Sequence, residues 1–280
     1  MTTLDTTSRI IDLARPRVTG SSHVTIAIDN RTGRPITVHA LDRATRNGKA
    51  CDCTCVVCGQ PLSAGQGSTN RWYFSHVSKA DCPASTESTL HLAAKAVLQR
   101  TRKLGLPRYD IGHGYGVMVA PHHYVRSYIR HTIAERPAFE FAEIRTEEPY
   151  VAEVAVLDDR GTWTPHQAYR IVADAVGTTD KGKTCLIEFV VTHPIDQRKE
   201  QVLHEIGHPT VEIHLDHLLE HEESPDLLDR VQAHLEGLDR RYWVVPPIHP
   251  DKRTEIEQRL HQQNREEVER QVEAWRMAQR

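Results

Sequence analysis

The second half of the chain carries the clearest pattern of apolar and polar positions. Two apolar runs, 169–177 (YRIVADAVG) and 184–192 (TCLIEFVVT), are separated by the turn-forming residues DKGK and predict a hairpin of buried strands. Helically spaced apolar residues over 195–206 and a further apolar run at 210–215 predict a strand–helix–strand crossover after this hairpin. Together these elements predict a mixed α/β (α+β) fold with a sandwich-like main domain.

The remaining elements are predicted from weaker patterns. The runs VTIAI (24–28) and PITVHAL (35–41) flank a turn and predict a hairpin. Ser85 and Thr86 are candidate N-caps of a helix that ends near Leu104. A strand-rich stretch over 109–156, a helix over 227–238, a short strand at RRYWVV (240–245) and a long charged helix from Pro250 onward complete the prediction.

These elements divide into four regions. A flexible tail (1–21) precedes a small cysteine-rich hairpin region (22–84), an α/β domain (85–249) and the C-terminal helix (250–280). The C-terminal helix has a narrow apolar stripe interrupted at Asn264, and we expect it to pack on its own domain. Homo-oligomerisation through this helix is the alternative, although the helix lacks a sustained heptad repeat.

Composition excludes some classes of protein. With 39% hydrophobic and 26% charged residues, the chain resembles ordinary globular proteins. Its apolar runs fall short of the ~20 residues that span a bilayer, so we expect no membrane partner. The N-terminus lacks the pattern of a signal peptide, which favours a cytoplasmic protein. A net charge of −3 neither supports nor excludes a nucleic-acid partner.

Cysteines cluster at the start of the second region, in CDCTCVVC (51–58). The spacing of Cys55 and Cys58 allows both thiolates to bind one tetrahedral ion, and His76 and Cys82 would complete a Cys₃His set. A closed four-ligand shell leaves no open position, so the sequence predicts a structural zinc ion.

Two alternatives to this ligand set stay open. Cys51 or Cys53 could replace Cys55, and the CxxC could be a redox motif, although the βαβ context of such motifs is missing. Cys185, within an apolar run, is expected to be a plain core residue.

Two acidic residues interrupt the predicted buried strands. Asp174 and Glu188 would be costly to bury as unpaired charges, and together they could bind Mg²⁺ or Mn²⁺. The alternative is a pair of structural ion pairs. Lys199 lies on the apolar stripe of the following helix and is expected to point at the sheet near both acids. The alternative for Lys199 is a buried stem with its ammonium in solvent.

A second polar stripe lies on the helix after Cys82. Glu87, His91 and Lys95 are spaced at i, i+4 and i+8 and share one face. Such a stripe is usually solvated. The functional alternative places Glu87 or His91 at the metal-binding cleft as catalytic residues.

Several of these motifs, in this order, resemble the CoiA-like competence protein family. They are the CxxC, WYFSH and ESTLHLAAK segments, then YRIVADAVG, LIEFVVTHPIDQRK, TVEIHLDHL and RRYWVVPP, which span Cys55 to Pro247. The family is similar to PD-(D/E)xK nucleases, in which an acid on one strand and E-x-K on the next bind metal and activate water. The resemblance therefore implies a PD-(D/E)xK-like α/β sandwich for the third region.

The resemblance also implies roles for individual residues. Asp174 matches the first acid and Glu188 the second, but Val190 occupies the lysine position, which puts catalysis in doubt. The lysine can migrate to the neighbouring helix in this superfamily, and Lys199 is the candidate. Secondary candidates implied by the resemblance are Thr192, His193, Asp196 and Glu212.

The leading hypothesis is a metal-dependent nuclease, with DNA as its expected substrate. The resemblance implies a place in DNA uptake, recombination or phage defence, with protein partners in those processes. The runner-up is a catalytically inactive, zinc-stabilised nucleic-acid-binding or scaffold protein. A third hypothesis is a metal-dependent hydrolase of another substrate.

Overall fold

The protein has the mixed α/β architecture that the sequence predicts, in a computed structural model that describes residues 10–13, 24–78, 82, 88–155, 161–163 and 166–280. Its strands are β1 (Ile11–Asp12), β2 (Ile26–Asp29), β3 (Arg34–Thr37), β4 (Gly48–Cys55), β5 (Pro61–Gly65), β6 (Tyr73–His76), β7 (Lys103–Ala120), β8 (His123–Glu140), β9 (Glu143–Val154), β10 (Gln167–Thr178), β11 (Thr184–Val190), β12 (Thr210–His214) and β13 (Arg241–Val245). Its α-helices are α1 (Thr89–Thr101), α2 (Gln197–Ile206), α3 (Leu227–Glu236) and α4 (Pro250–Ala278).

A small antiparallel sheet forms the N-terminal region, with strand order β3-β2-β4-β5-β6. The hairpin predicted from the first two apolar runs is confirmed as β2 and β3. The second run continues past Thr37 as a 3₁₀ turn rather than a strand, because the Thr37 side chain accepts a hydrogen bond from the Ala40 backbone N–H. This sheet carries Cys55 at the end of β4 and His76 at the end of β6.

The larger sheet contains the predicted crossover. Strands β10 and β11 form an antiparallel hairpin, and α2 connects β11 to the parallel strand β12. Strand β9 pairs along one edge of β10. On the other edge, β11 pairs with residues 175–178 and β1 with residues 169–170, so this ladder is interrupted between Arg170 and Ala175. Asp174 lies in the interruption.

The predicted start and end of the first helix are wrong. Ser88 is the N-cap of α1, and its side chain accepts a hydrogen bond from the His91 backbone N–H, whereas Ser85 and Thr86 lie outside the described residues. The helix ends before Arg102, which adopts a left-handed conformation with φ 54°. Leu104 is therefore buried in β7 rather than in the helix.

The strand-rich stretch consists of β9 and an unusually long hairpin formed by β7 and β8, each of 18 residues. Helix α4 packs along this hairpin, which agrees with the expectation that it packs on its own chain. Its stripe contacts the hairpin in two clusters, which centre on Ile111 and on Val125. The α4 residues in them are Ile256, Leu260, Val268 and Val272.

One hydrophobic core joins the N-terminal sheet to the larger sheet. Phe74 of β6, Leu90 of α1 and Ile187 of β11 belong to the same buried cluster. Residues 11–12 pair with β10 as β1 instead of belonging to a flexible tail, and the rest of that predicted tail, apart from Ile10 and Leu13, lies outside the described residues. Within the described ranges, no helix is long and apolar enough to cross a membrane.

Candidate functional site

The Cys₃His set predicted from sequence comes together in space. Cys55, Cys58, His76 and Cys82 place one ligand atom each within 4.8 Å of all the others. The N-terminal sheet positions three of them, because β4 and β6 both end beside the first residues of β5, next to the turn that carries Cys58. Cys82 follows from the segment that leads into α1.

The distances match those of a tetrahedral zinc site. The Cys55 and Cys82 sulfurs are 3.8 Å apart, and Cys58 Sγ lies 3.3 Å from His76 Nε2. Zinc–sulfur bonds of about 2.3 Å in tetrahedral geometry separate two sulfurs by about 3.8 Å, and a sulfur from an imidazole nitrogen by about 3.6 Å. A disulfide requires about 2.05 Å, so these sulfurs are not joined by disulfide bonds. The cluster is compatible with structural zinc.

The pKa values of two thiols in this region, Cys58 and Cys53, are shifted in opposite directions. Burial alone would raise the pKa of the Cys58 thiol, but the Gln60 backbone and the neighbouring Cys82 and Cys55 sulfurs hold it below its usual value. Cys53 differs, because burial and the adjacent Cys51 raise its pKa to about 12. A lowered pKa favours the thiolate that binds zinc.

The alternative ligands, Cys51 and Cys53, lie outside the cluster. Their thiols donate to backbone carbonyls, Cys51 to Leu62 O at 3.3 Å and Cys53 to Cys51 O at 3.2 Å. Cys185 is buried in β11 and burial raises its pKa to about 12, which agrees with its prediction as a core residue.

A second polar cluster lies where β10 and β11 separate. Glu188 is fully buried on β11, and Lys199 of α2 places its Nζ 2.6 Å from Glu188 Oε2. The same ammonium donates to the Val172 carbonyl at 3.3 Å, inside the interrupted stretch of β10. The contact between Lys199 and Glu188 is the one that the helical stripe of α2 predicts.

Asp174 is held from two sides. Its Oδ2 accepts a hydrogen bond from the Phe189 backbone N–H at 2.8 Å, so a side chain replaces the ladder where β11 leaves β10. Its Oδ1 lies 3.7 Å from Lys95 Nζ of α1. Lys95 also pairs with the Glu147 carboxylate of β9 and is itself 7% exposed. The stripe on α1 is therefore not a solvated face at Lys95.

His91 joins the same cluster through the backbone. Its Nε2–H donates to the Phe189 carbonyl at 2.9 Å, and its Nδ1 lies 2.6 Å from the Ser88 hydroxyl. The backbone of Phe189 is thus bound at its N–H by Asp174 and at its carbonyl by His91. Glu87, the other catalytic candidate of this stripe, lies outside the described residues.

The residues implied by the resemblance occupy the neighbourhood of α2. Val190 ends β11 as a buried apolar side chain, and Asp196 caps α2 by accepting from the Lys199 backbone N–H at 2.8 Å. Glu212 pairs in register with Glu188 and accepts from Ile195 N–H at 3.0 Å and from His214 Nε2 at 2.6 Å. The exposed Thr192 hydroxyl lies 2.8 Å from His193 Nδ1.

Two members of the cluster were not identified as site residues from sequence. Lys95 was visible on the α1 stripe, but its partner Asp174 is nearly eighty positions away in the chain. Glu147 lies in a strand of alternating exposed residues that carries no chemical motif.

The two acids are neutralised by separate lysines rather than by one shared basic group. Lys199 compensates Glu188, and Lys95 compensates Asp174. In the part of the chain that the structure describes, only the Cys/His cluster brings three or more metal-ligand side chains together. A cation bound by Asp174 and Glu188 would have only these two carboxylate ligands from the chain and would complete its coordination shell with water or substrate oxygens.

Comparison of the chain with protein-family models, curated proteins and solved structures finds no match.

Proposed function

We propose that this protein is a metal-dependent nuclease that hydrolyses phosphodiester bonds, with DNA as its substrate, and that residues 85–249 adopt a PD-(D/E)xK-like fold. The observation that carries the proposal is a pair of contacts where β10 and β11 separate: Lys199 lies 2.6 Å from Glu188, and Asp174 accepts a hydrogen bond from the backbone of Phe189, the residue after Glu188. The resemblance of the motifs to CoiA-like competence proteins supports membership of that family, DNA as the substrate, and a place in DNA uptake, recombination or phage defence.

In this proposal Asp174 and Glu188 hold Mg²⁺ or Mn²⁺, because hard cations prefer carboxylate oxygens. Such an ion lowers the pKa of bound water and offsets the charge that develops on the phosphate. Lys199 then donates to the attacking water or to a phosphate oxygen, which is the task of the lysine whose usual position Val190 occupies. Its Nζ lies 2.6 Å from Glu188 Oε2, one of the proposed metal ligands.

Two α1 residues support these groups. Lys95 balances the charge of Asp174 at 3.7 Å. His91 positions the Phe189 peptide, whose N–H binds Asp174, and so fixes the carboxylate against β11. We propose His91 as a positioning residue on these contacts.

One observation favours a second function. Each acid already has an ammonium partner, which is Lys199 for Glu188 and, for Asp174, a Lys95 that also pairs with Glu147, so neither buried charge requires a divalent cation. A zinc-stabilised nucleic-acid-binding or scaffold protein without catalytic activity would have this geometry.

Cleavage assays distinguish the two functions. Wild-type protein is incubated with end-labelled single-stranded DNA, double-stranded DNA and RNA, with Mg²⁺, with Mn²⁺ and without added divalent ions. The nuclease should cut DNA only in the two reactions that contain a cation. The reaction without added ions replaces EDTA as the main control, since EDTA also removes structural zinc. Intact substrates under both cations would leave the non-catalytic function.

A further inference from the structure

The long hairpin β7–β8 has one covered face and one open face. Side chains alternate between the two faces along both strands, and the face that carries Ile111 and Val125 packs against α4. The opposite face of both strands is open over most of its length, as the exposed side chains of β8 from Tyr124 to Thr132 show at every second position.

The open face is an aromatic and basic surface, which we call the hairpin platform. Tyr124 and Tyr128 are 58% and 62% exposed, although tyrosine is usually at least partly buried in a folded chain. Arg126 lies between them and Arg130 follows Tyr128, with its guanidinium carbon 5.9 Å from the Tyr128 ring centroid. The platform consists of Tyr124, Arg126, Tyr128, Arg130 and the facing glycines Gly112, Gly114 and Gly116.

The facing glycines let the tyrosine rings lie flat on the β7 backbone. A Cβ at Gly112 would be 1.8 Å from Tyr128 Oη, and one at Gly116 would be 2.6 Å from Tyr124 Cε1. Any larger residue would push these rings away. Each ring therefore covers backbone with one face and leaves the other face available for stacking. Aromatic cover of glycine stabilises a strand, but that role requires neither the arginines nor the exposed outer faces.

The charge of the open face is positive. Arg108, Arg126 and Arg130 lie on it or at its edge, against Asp110, which pairs with Arg108 at 2.7 Å and with Arg130 at 3.3 Å. Glu135 lies 3.7 Å from Arg108 at the base of the hairpin, away from the tyrosines. In the tyrosine-bearing half, Arg126 faces Gly116 on β7 and lines a cavity with Glu266, Glu267 and Arg270 of α4.

We propose that the hairpin platform binds single-stranded nucleic acid, with unpaired bases stacked on Tyr124 and Tyr128 and phosphates contacted by Arg126 and Arg130. Exposed aromatic rings interleaved with cations bind single strands without reading sequence, because every base has a π face. A duplex keeps its bases stacked on each other, so the rings offer it less. Met118 is the one large aliphatic side chain exposed on this face, which disfavours an apolar protein partner.

Nucleic acid on the hairpin platform would bind to a surface distinct from the Glu188 cluster, and this binding does not require cleavage. Failure of either proposal is therefore visible separately: binding is measured without divalent ions, and cleavage with them.

The test is fluorescence anisotropy with full-length protein and labelled oligonucleotides of about 16 nucleotides, a length that covers a typical single-strand site. Single-stranded DNA, single-stranded RNA and duplex DNA of the same sequence are compared. Wild type should bind both single strands more tightly than the duplex. The ratio between the DNA and RNA arms identifies which of the two the platform prefers.

Matched variants separate stacking from charge and from folding. Y124L/Y128L keeps apolar cover over the glycines but loses the rings, and should raise Kd roughly tenfold or more. Y124F/Y128F keeps the rings and should stay within about twofold of wild type. R126Q should weaken binding and reduce its salt dependence, whereas R259Q, an equal charge change at an exposed α4 residue, should not.

Three results would overturn the inference. They are absence of single-strand binding by wild type, equal affinity for duplex and single strand, and wild-type affinity of Y124L/Y128L. Circular dichroism of each variant shows whether the fold is retained, and R126Q tests the surface independently if Y124L/Y128L does not fold.

Discussion

At the scale of single residues, Glu188 links stability to the proposed chemistry. It has no exposed surface, and burying an ionised carboxylate costs several kcal/mol unless a partner compensates it. Lys199 is that partner at 2.6 Å and is itself 6% exposed. Lys199 also donates to the Val172 carbonyl of β10, and Asp174 accepts from the Phe189 N–H of β11, so both contacts lie where these two strands separate.

Replacing Lys199 by Met should lower the free energy of unfolding by roughly 3–5 kcal/mol, because Glu188 would be left as an unpaired buried charge. Adding Glu188→Leu to the same chain should restore much of the loss, since an apolar pair has no desolvation penalty. Urea denaturation measures both effects. Lys252→Met, at an exposed position of α4, is the control and should change stability little. A loss below about 1 kcal/mol for K199M would show that Glu188 is not charged in the folded protein.

At the scale of elements, the sequence predicts best where apolar residues are continuous. Strands β10, β11 and β12 and helices α2 and α3 lie within about two residues of their predicted bounds, because burial on both faces imposes an apolar pattern that periodicity detects. The bounds of α1 are set instead by single residues: the Ser88 hydroxyl caps its start, and the left-handed conformation of Arg102 ends it. Other hydroxyl residues nearby, such as Ser85 and Thr86, were equally good N-cap candidates in the sequence.

The sequence predicted a strand-rich stretch here but did not separate it into strands β7 and β8, for a different reason. Its inner face packs on α4, more than a hundred positions later, and its outer face alternates tyrosine and arginine against glycine. Neither face has a continuous apolar run, and tertiary packing rather than local propensity decides the strands. The buried lysine Lys95 and its partner Glu147 were missed likewise, because their contact exists only after α1 docks on the sheet.

A pH effect belongs to helix α3. Burial, with the nearby Arg241 guanidinium, lowers the pKa of His234 to about 4 from 6.5. The folded state thus favours neutral His234, so its contribution to stability is present above pH 6.5 and is lost as the pH falls towards about 4. His234→Phe should remove this contribution, and the difference in unfolding free energy between wild type and variant should shrink over that window. His166→Phe, exposed, is the control. A difference independent of pH would contradict the assignment.

At the scale of the whole molecule, the sheet that carries the Cys/His cluster and the larger sheet share one core. Cys55 and Cys82 belong to the same buried cluster as Leu90 of α1 and Phe189 of β11. The zinc set was predictable from sequence because its spacing is local, whereas this continuity depends on how α1 packs between the sheets. Loss of zinc should therefore weaken the whole fold rather than one end of it.

Cys58→Ser should abolish zinc binding and lower the single thermal transition of the protein, because ligand binding energy contributes to folding energy. Cys53→Ser is the matched control, since its thiol lies in the same strand region but outside the ligand cluster. Metal analysis should give about one zinc per chain for wild type and for C53S, and none for C58S. Zinc retained by C58S, or a larger sheet that melts unchanged without zinc, would contradict the shared-core account.

The central claim is that Asp174 and Glu188 form one catalytic metal site, and initial rates of DNA cleavage in Mn²⁺ test it most directly. Rates are compared for wild type, D174N, E188Q and the double variant, with D216N as a control at an exposed carboxylate paired with Arg240. Parts of one metal site act as a unit, so each single loss should cost as much as the double loss, on the order of a thousandfold, while D216N cuts like wild type. Cleavage by E188Q at the wild-type rate would contradict the account.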